Sequence, residues 1–401
     1  MKSSLVPIAA LIAAALAASP ALAQKKYDTG ATDTEIKIGN MMPYSGPASA
    51  YGTIGKVEAA YFKKINDEGG INGRKINFIS VDDGYSPPKA VEMARKLVGQ
   101  DEVLFIMQPL GTPSNSAIHK YMNAKKVPQL FVATGASKWN DPKEFPWTMG
   151  WQPNYQTEAG IYAHHILQTK PGAKIGVLYQ NDDYGKDYLK GFKDALGAKA
   201  ATMIVKEVSY EVADPTVDSQ VVQLQAAGAD TFFNITTPKF AAQAIRKAYD
   251  TGWKPVHYLN NVSASVGSVL TPAGLDKSTG LISMAYLKDP TDASWEKDAA
   301  IVDWTAFMKK YYPDGNLKDA SNFYGWSVAQ TMVQVLKQCG DNLTRENVMK
   351  QAASLKDFAL PGALPGIKIN TSATDFAPFE SMQLARFDGK TWVRFGEIVG
   401  K

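Results

Sequence analysis

The chain has 401 residues, 45% hydrophobic and 20% charged, with 43 Lys and Arg against 39 Asp and Glu for a formal net charge of +4. Its basic doublets (Lys63-Lys64, Lys125-Lys126 and Lys309-Lys310) are scattered, the pattern of solvated helix faces, so no nucleic acid is expected as a partner. Cys339 is the single cysteine, which excludes an internal disulfide and a cysteine-based zinc site.

In chain order, Lys2 precedes an apolar run over 5–18 and then Ser19-Pro20-Ala21-Leu22-Ala23. A charged start, an apolar stretch and an A-x-A site describe a cleavable signal peptide over 1–23, and the run is short for a membrane span. A soluble product exported to a Gram-negative periplasm is expected, beginning at Gln24.

Strands and helices then alternate, the pattern of parallel α/β domains. Strand 36–40 leads to a helix over 55–67, strand 75–81 to a helix over 87–98, and strand 103–107 to a helix over 114–124, before strand 129–132. A second series follows, with helices at 157–168, 185–196, 218–227 and 239–250. Its strands fall at 174–179, 202–208, 231–235, 255–259 and 280–286. Helical segments at 295–311, 321–338 and 345–355 precede strands at 366–370, 382–387 and 391–395, the last two joined by Asp388-Gly389, a hairpin turn. The expected fold is α/β, two doubly wound lobes joined by a multi-strand hinge. Candidate crossings are 151–154, 285–289 and 377–382, and ligands commonly sit at such interfaces.

Three first-lobe loops follow strands and carry small residues where a helix begins: Pro43-Tyr44-Ser45-Gly46-Pro47, Leu110-Gly111-Thr112-Pro113-Ser114 and Thr134-Gly135-Ala136-Ser137. Ligands of open parallel sheets bind at the carboxyl ends of strands, where helix N-termini present free N–H groups. The loops read as a carboxylate site, or equally as three ordinary N-caps.

Ile36-Lys37-Ile38-Gly39, Tyr44-Ser45-Gly46-Pro47, Tyr51-Gly52 and the run Asn66 to Gly73 resemble the periplasmic leucine/isoleucine/valine-binding protein family. Asp82-Asp83, Val127-Pro128-Gln129-Leu130 and Asn181-Asp182-Asp183-Tyr184-Gly185 continue the likeness over essentially the whole mature chain. The resemblance implies a type I periplasmic-binding fold. Its N-terminal lobe would comprise 24–152 plus 287–378, and its C-terminal lobe 153–286 plus 379–401. It implies a monomer that closes on a small carboxylate ligand and delivers it to a membrane ABC permease with its ATPase, without a cofactor, a metal or catalysis.

Carried over, the family's carboxylate grip falls on Gly111 and Thr112, with Ser114 as a substitute one register away, and on Gly135 and Ser137. Tyr51 and Tyr184 would cover the ligand from the two lobes, and Phe323 and Tyr324 would line the first-lobe wall. The second-lobe acid that pairs with an α-ammonium is replaced by Asn260-Asn261, with Asn261 at the site itself. An ammonium buried without a countercharge costs several kcal/mol. Either Asp182, Asp183 or Glu211 substitutes, or the ligand is an aromatic or aliphatic acid without an amine.

Two other roles are weighed. An exported hydrolase would need a nucleophile with its base, or a metal set, but H-E-x-x-H, G-x-S-x-G and P-loop patterns are missing from the sequence. A ligand-sensing periplasmic subunit for a membrane receptor would use the same two lobes.

Overall fold

The computed structural model describes residues 25–400; the expected signal peptide lies outside them. One sheet of five parallel strands has β1 (Glu35–Met42), β2 (Lys75–Asp82), β3 (Phe105–Met107), β4 (Gln129–Val132) and β5 (Thr148–Gly150), in the order β2-β1-β3-β4-β5. Its register sets Ile38 beside both Phe78 and Phe105. Central β1 is buried from Ile38 to Met42, as a strand covered on both faces must be. The covering helices are α1 (Thr53–Asp67), α2 (Pro87–Gly99) and α3 (Thr112–Lys125). In α1, Ile54, Val57, Tyr61 and Ile65 recur every three or four residues and form its buried stripe.

The second sheet holds β6 (Ile175–Gln180), β7 (Ile204–Tyr210), β8 (Thr231–Ile235), β9 (Val256–Leu259), β10 (Ile282–Ala285), β11 (Ser381–Phe387) and β12 (Trp392–Gly400). Their order is β12-β11-β10-β9-β8-β6-β7, and only the β10-β11 and β11-β12 pairs are antiparallel. Helices α4 (Tyr155–Thr169), α5 (Asp183–Leu196), α6 (Asp218–Ala226) and α7 (Pro238–Asp250) alternate with its strands. Two N-caps are explicit: Asn154 accepts from the Gln156 and Thr157 amides, and Asp182 from those of Tyr184 and Gly185. Helices α8 (Ala299–Tyr311), α9 (Ala320–Cys339) and α10 (Arg345–Ala352) come after the second sheet's parallel strands, yet α8 and α9 pack on α1 of the first.

Local signals misplace three elements. The helix expected from 295 begins at Ala299, because Asp298 caps it and Trp295 belongs to a separate turn. The strand expected at 366–370 forms only an isolated bridge between Phe358 and Ile369, since no sheet edge lies beside it. Strand β5 was not anticipated; three residues carry no periodicity.

The chain passes between the two sheets through 151–154, 286–298 and 377–380. Each passage contributes one aromatic ring to a common cluster. Trp151 contacts Tyr286 and Phe379 with centroids 6.2 and 4.8 Å away, and Tyr286 lies 5.1 Å from Phe379. The Trp151 indole N–H donates to Thr331 Oγ1 of α9 at 3.1 Å. All three rings are buried.

Replacing Trp151 or Phe379 by Ala is expected to cost about 3–5 kcal/mol in urea unfolding, the range for a buried aromatic. A second prediction concerns Glu58 of α1, which is fully buried and whose Oε1 has no partner. Burial pushes its carboxyl well above the ordinary 4.5. The folded protein therefore keeps this proton while the unfolded chain releases it, so stability is complete below pH 4.5 and falls as pH rises toward the folded value. Glu58→Gln should remove that contribution. Unfolding midpoints at pH 5 and 8 should diverge between wild type and variant, by about 1.4 kcal/mol for each pH unit crossed within the window.

Candidate functional site

A cavity of ≈ 150 Å³ lies between the two sheets, beyond the carboxyl ends of their parallel strands. Tyr51, Tyr85, Tyr155, Tyr184, Tyr286 and Tyr324 all face it, with Leu110, Ala133, Val262 and Met284 among the apolar residues between them.

Hydrogen bonds and ring contacts with the protein itself fix several of these rings. The Tyr51 hydroxyl crosses the cleft to donate to Val262 O at 2.9 Å. Tyr184 donates to the Asn260 side-chain oxygen at 2.5 Å, and the Asn260 amide NH₂ is held by Asn234 O and Thr236 O at 3.0 and 3.1 Å. Tyr324 donates to Gln152 Oε1 at 3.1 Å and accepts from Gln108 Nε2 at 3.2 Å. Tyr155 stacks on Tyr188 (4.3 Å) and meets Tyr184 edge-on (5.4 Å). Such anchoring commits the hydroxyls of Tyr51, Tyr184 and Tyr324 to the protein.

At the first-sheet end, Gly111 and Thr112 form the start of α3 on the cavity wall. No side chain caps this helix; Pro113 has no N–H and Gly111 N donates to Ala133 O at 3.3 Å, so the Thr112 amide is the leading donor of the terminus on the cavity wall. Gly111 has φ +96, and a Cβ there would stand 2.5 Å from the Tyr85 ring, so both backbone and space require glycine. Thr112 Oγ1 shares a hydrogen bond of 2.6 Å with Thr134 Oγ1.

The residues named from the sequence divide here. Tyr51, Gly111, Thr112, Tyr184, Asn261, Phe323 and Tyr324 line the cavity; Ser114, Gly135 and Ser137 do not. Ser114 is fully buried under the loop. Gly135 is covered by Tyr155, whose ring atoms would be 2.7 Å from a Cβ at that position. Ser137 is occupied by the protein's own carboxylate. Asp187 of α5 accepts from Ser137 N at 2.8 Å and from Ser137 Oγ at 2.7 Å, while Gln156 Nε2 donates to the same carboxylate at 2.7 Å. The loop geometry suits a carboxylate, but the one that fills it is internal.

The acids weighed as ammonium partners are also committed elsewhere, and none lines the cavity. Asp182 caps α5, Asp183 pairs with Lys138 at 2.5 Å, and Glu211 accepts from Asn181 at 2.6 Å. Asn261 donates through its backbone to Glu158 Oε1 at 2.7 Å and through its amide to Met284 O. Glu158 is buried behind it and accepts further hydrogen bonds from Tyr162 at 2.9 Å and Tyr188 at 2.8 Å. Burial outweighs these donors and pushes its carboxyl up to about 7.

Tyr85, Tyr155, Tyr286, Trp392 and Arg394 also line the cavity and were missed. Tyr85 follows Asp82-Asp83-Gly84 at a strand end, where the loop rule would have found it. Arg394 lies on the C-terminal hairpin and had no local signal.

The cleft is closed at both rims. Asp187 and Asp183 bridge to Ser137 and Lys138 on one side. On the other, Asp319 before α9 accepts from Ser265 and Ser268 at 2.9 and 3.0 Å, and Gly267 N donates to Lys318 O at 2.7 Å. Asp187→Asn should weaken the closed form by about 1.5–3 kcal/mol, the range for hydrogen bonds to a charged group. A larger radius of gyration in ligand-free X-ray scattering would register the opening; an unchanged one would show that the Asp319 rim alone holds the cleft.

Residues 35–391 match a family described as periplasmic binding proteins. A Leu/Ile/Val-binding protein homolog 1 from Brucella suis biovar 1 (strain 1330) is 24% identical over 82% of this chain and 85% of its own length. The crystal structure of a branched-chain amino acid ABC transporter from Thermus thermophilus with bound valine superposes with TM-score 0.82 at 15% identity, covering 92% of this chain and 98% of that one. An ABC transporter solute-binding protein from R. palustris in complex with 4-hydroxybenzoate gives 0.76 at 17% identity, covering 91% and 97%. No helix among the described residues is long and apolar enough to cross a membrane. The chain belongs to the periplasmic binding protein family and has the type I fold of the solved structures it resembles.

Proposed function

We propose that this protein captures a small hydrophobic carboxylic acid without an α-ammonium and delivers it to an ABC importer by hinge closure. The observation that carries the reading is the composition of the cavity wall. Six tyrosines and an uncapped helix N-terminus surround the space, and the carboxylates on its wall among the described residues, Asp289 and Asp292, each turn one oxygen onto their own chain. Asp289 accepts from the Thr291 amide and hydroxyl, both at 2.7 Å, and Asp292 accepts from the Ser294 amide at 2.9 Å.

A cavity of roughly 150 Å³ accommodates a benzene-sized group, which favours a single aromatic ring or a short aliphatic chain. Ring faces supply apolar burial, and the start of α3 with the Thr112 hydroxyl supplies the donors for the ligand carboxylate. The 4-hydroxybenzoate complex of the R. palustris relative is consistent with such a solute on this fold. The amine-free part of the proposal follows from Asn261, which brings an amide already spent on Met284 O to the place where an acid would be needed.

Thermal unfolding of the purified protein against benzoate, 4-hydroxybenzoate, hexanoate, leucine and valine tests this. A ligand present at about a thousand times its dissociation constant adds roughly 4 kcal/mol, a rise of several degrees for a chain of this size. The benzoates or hexanoate are expected to raise the midpoint while leucine and valine leave it unchanged. A rise with the amino acids alone would overturn the amine-free assignment.

A further inference from the structure

The cavity has a second polar end, remote in sequence from the α3 terminus. Beyond Met284 and Tyr286 its wall is made by residues 287–295 and by the C-terminal hairpin, where Trp392 and Arg394 lie two positions apart on the same face of β12. The Trp392 indole N–H donates to Ala264 O at 2.8 Å, which ties the hairpin to the segment carrying Asn261 and Ser265. The Arg394 guanidinium sits 4.7 Å from the centre of the Trp295 ring, and Lys288 Nζ sits 5.4 Å from it.

These two side chains are the cations on the cavity wall, and they differ in how they are partnered. Lys288 is held by both Asp298 oxygens at 2.8 Å and by Pro361 O at 2.9 Å. Arg394 donates through one nitrogen to a neutral amide, Gln383 Oε1 at 3.3 Å, and forms no ion pair among the described residues. A guanidinium presents five N–H donors in a planar fork that fits a carboxylate. Fixing it by stacking on Trp295 lowers the entropy lost when that fork is used. Neither neighbouring acid pairs with it: Asp289 and Asp292 each turn one oxygen onto Thr291 and Ser294 respectively.

We propose that Arg394 anchors a second anionic group of the solute, so that the site selects a compact aromatic dicarboxylate over the corresponding monoacid. The ring would lie among the tyrosines, with one carboxylate at the α3 terminus and the other on Arg394. This inference rests on the acid-binding function proposed above and narrows its ligand class.

The test is isothermal titration of the purified protein with benzoate and with terephthalate, repeated on Arg394→Gln and Arg394→Lys. Wild type is expected to favour terephthalate by at least about tenfold. That ratio should fall to about one in Arg394→Gln and be partly retained in Arg394→Lys, which keeps the charge without the fork. Ligand-free thermal midpoints within about two degrees of wild type would show that the variants are folded. If both acids bind but wild type shows no preference, or the preference survives Arg394→Gln, the Arg394 assignment falls and the acid-binding function stands. If neither acid binds wild type, the Arg394 assignment falls, and a thermal shift with hexanoate decides whether the acid-binding function falls with it.

Discussion

The contact among Trp151, Tyr286 and Phe379 is the constraint on which the rest of the molecule depends. Each ring comes from a different passage of the chain between the two sheets, so the sheets cannot change their mutual orientation without sliding these rings over one another. Aromatic surfaces buried in this way resist separation but tolerate small rotations, which suits a hinge. The cluster also forms part of the cavity boundary, since Tyr286 faces the cavity and Tyr324 packs on Trp151 with centroids 5.2 Å apart. Hinge and binding wall are therefore one packing unit.

Around that unit, Asp187, Asp183 and Asp319 tie the rims, while six tyrosines stand on the interior wall and Lys288, Asp289, Asp292 and Arg394 gather at one end of it. Asp187 and Asp183 join the two halves where water can still reach them, whereas Asp319 is buried and accepts from both Ser265 and Ser268. Inside, the hydroxyls of Tyr51 and Tyr184 are held by a backbone carbonyl and an amide oxygen. Desolvation explains the arrangement. A charge left unpaired inside would be costly, whereas a carboxylate at a rim loses little hydration and gains several donors. Glu158 shows the limit of this rule: it is buried, but three donors converge on it and it holds the Asn261 backbone in place.

Local sequence determined a good deal. The alternation of strands and helices was legible in the chain, and most elements fall within two or three residues of expectation; caps such as Asn154 and Asp182 fix where the helices start. The loop rule for parallel sheets brought out Gly111 and Thr112, because a glycine followed by a hydroxyl residue at a strand end is a local requirement of backbone and helix terminus. The helix start at Ala299 and the lone bridge at Ile369 were misjudged, because a cap and a missing neighbour outweigh composition there.

What occupies each loop was decided only by tertiary structure. Ser137 has the residue types of a carboxylate grip, yet its partner is Asp187, fifty residues along the chain on a helix of the other half. Gly135 is masked by Tyr155 for the same reason: the approach of α4 cannot be read from either segment alone. Trp392 and Arg394 reach the cavity because β12 pairs with β11, which returns to the second sheet after α8, α9 and α10 have packed on or near the first. Periodicity and caps are set by neighbours a few residues away, so the chain itself records them. Which side chains meet across the cleft depends on how two sheets and three crossings close together, and that information exists only once they have packed.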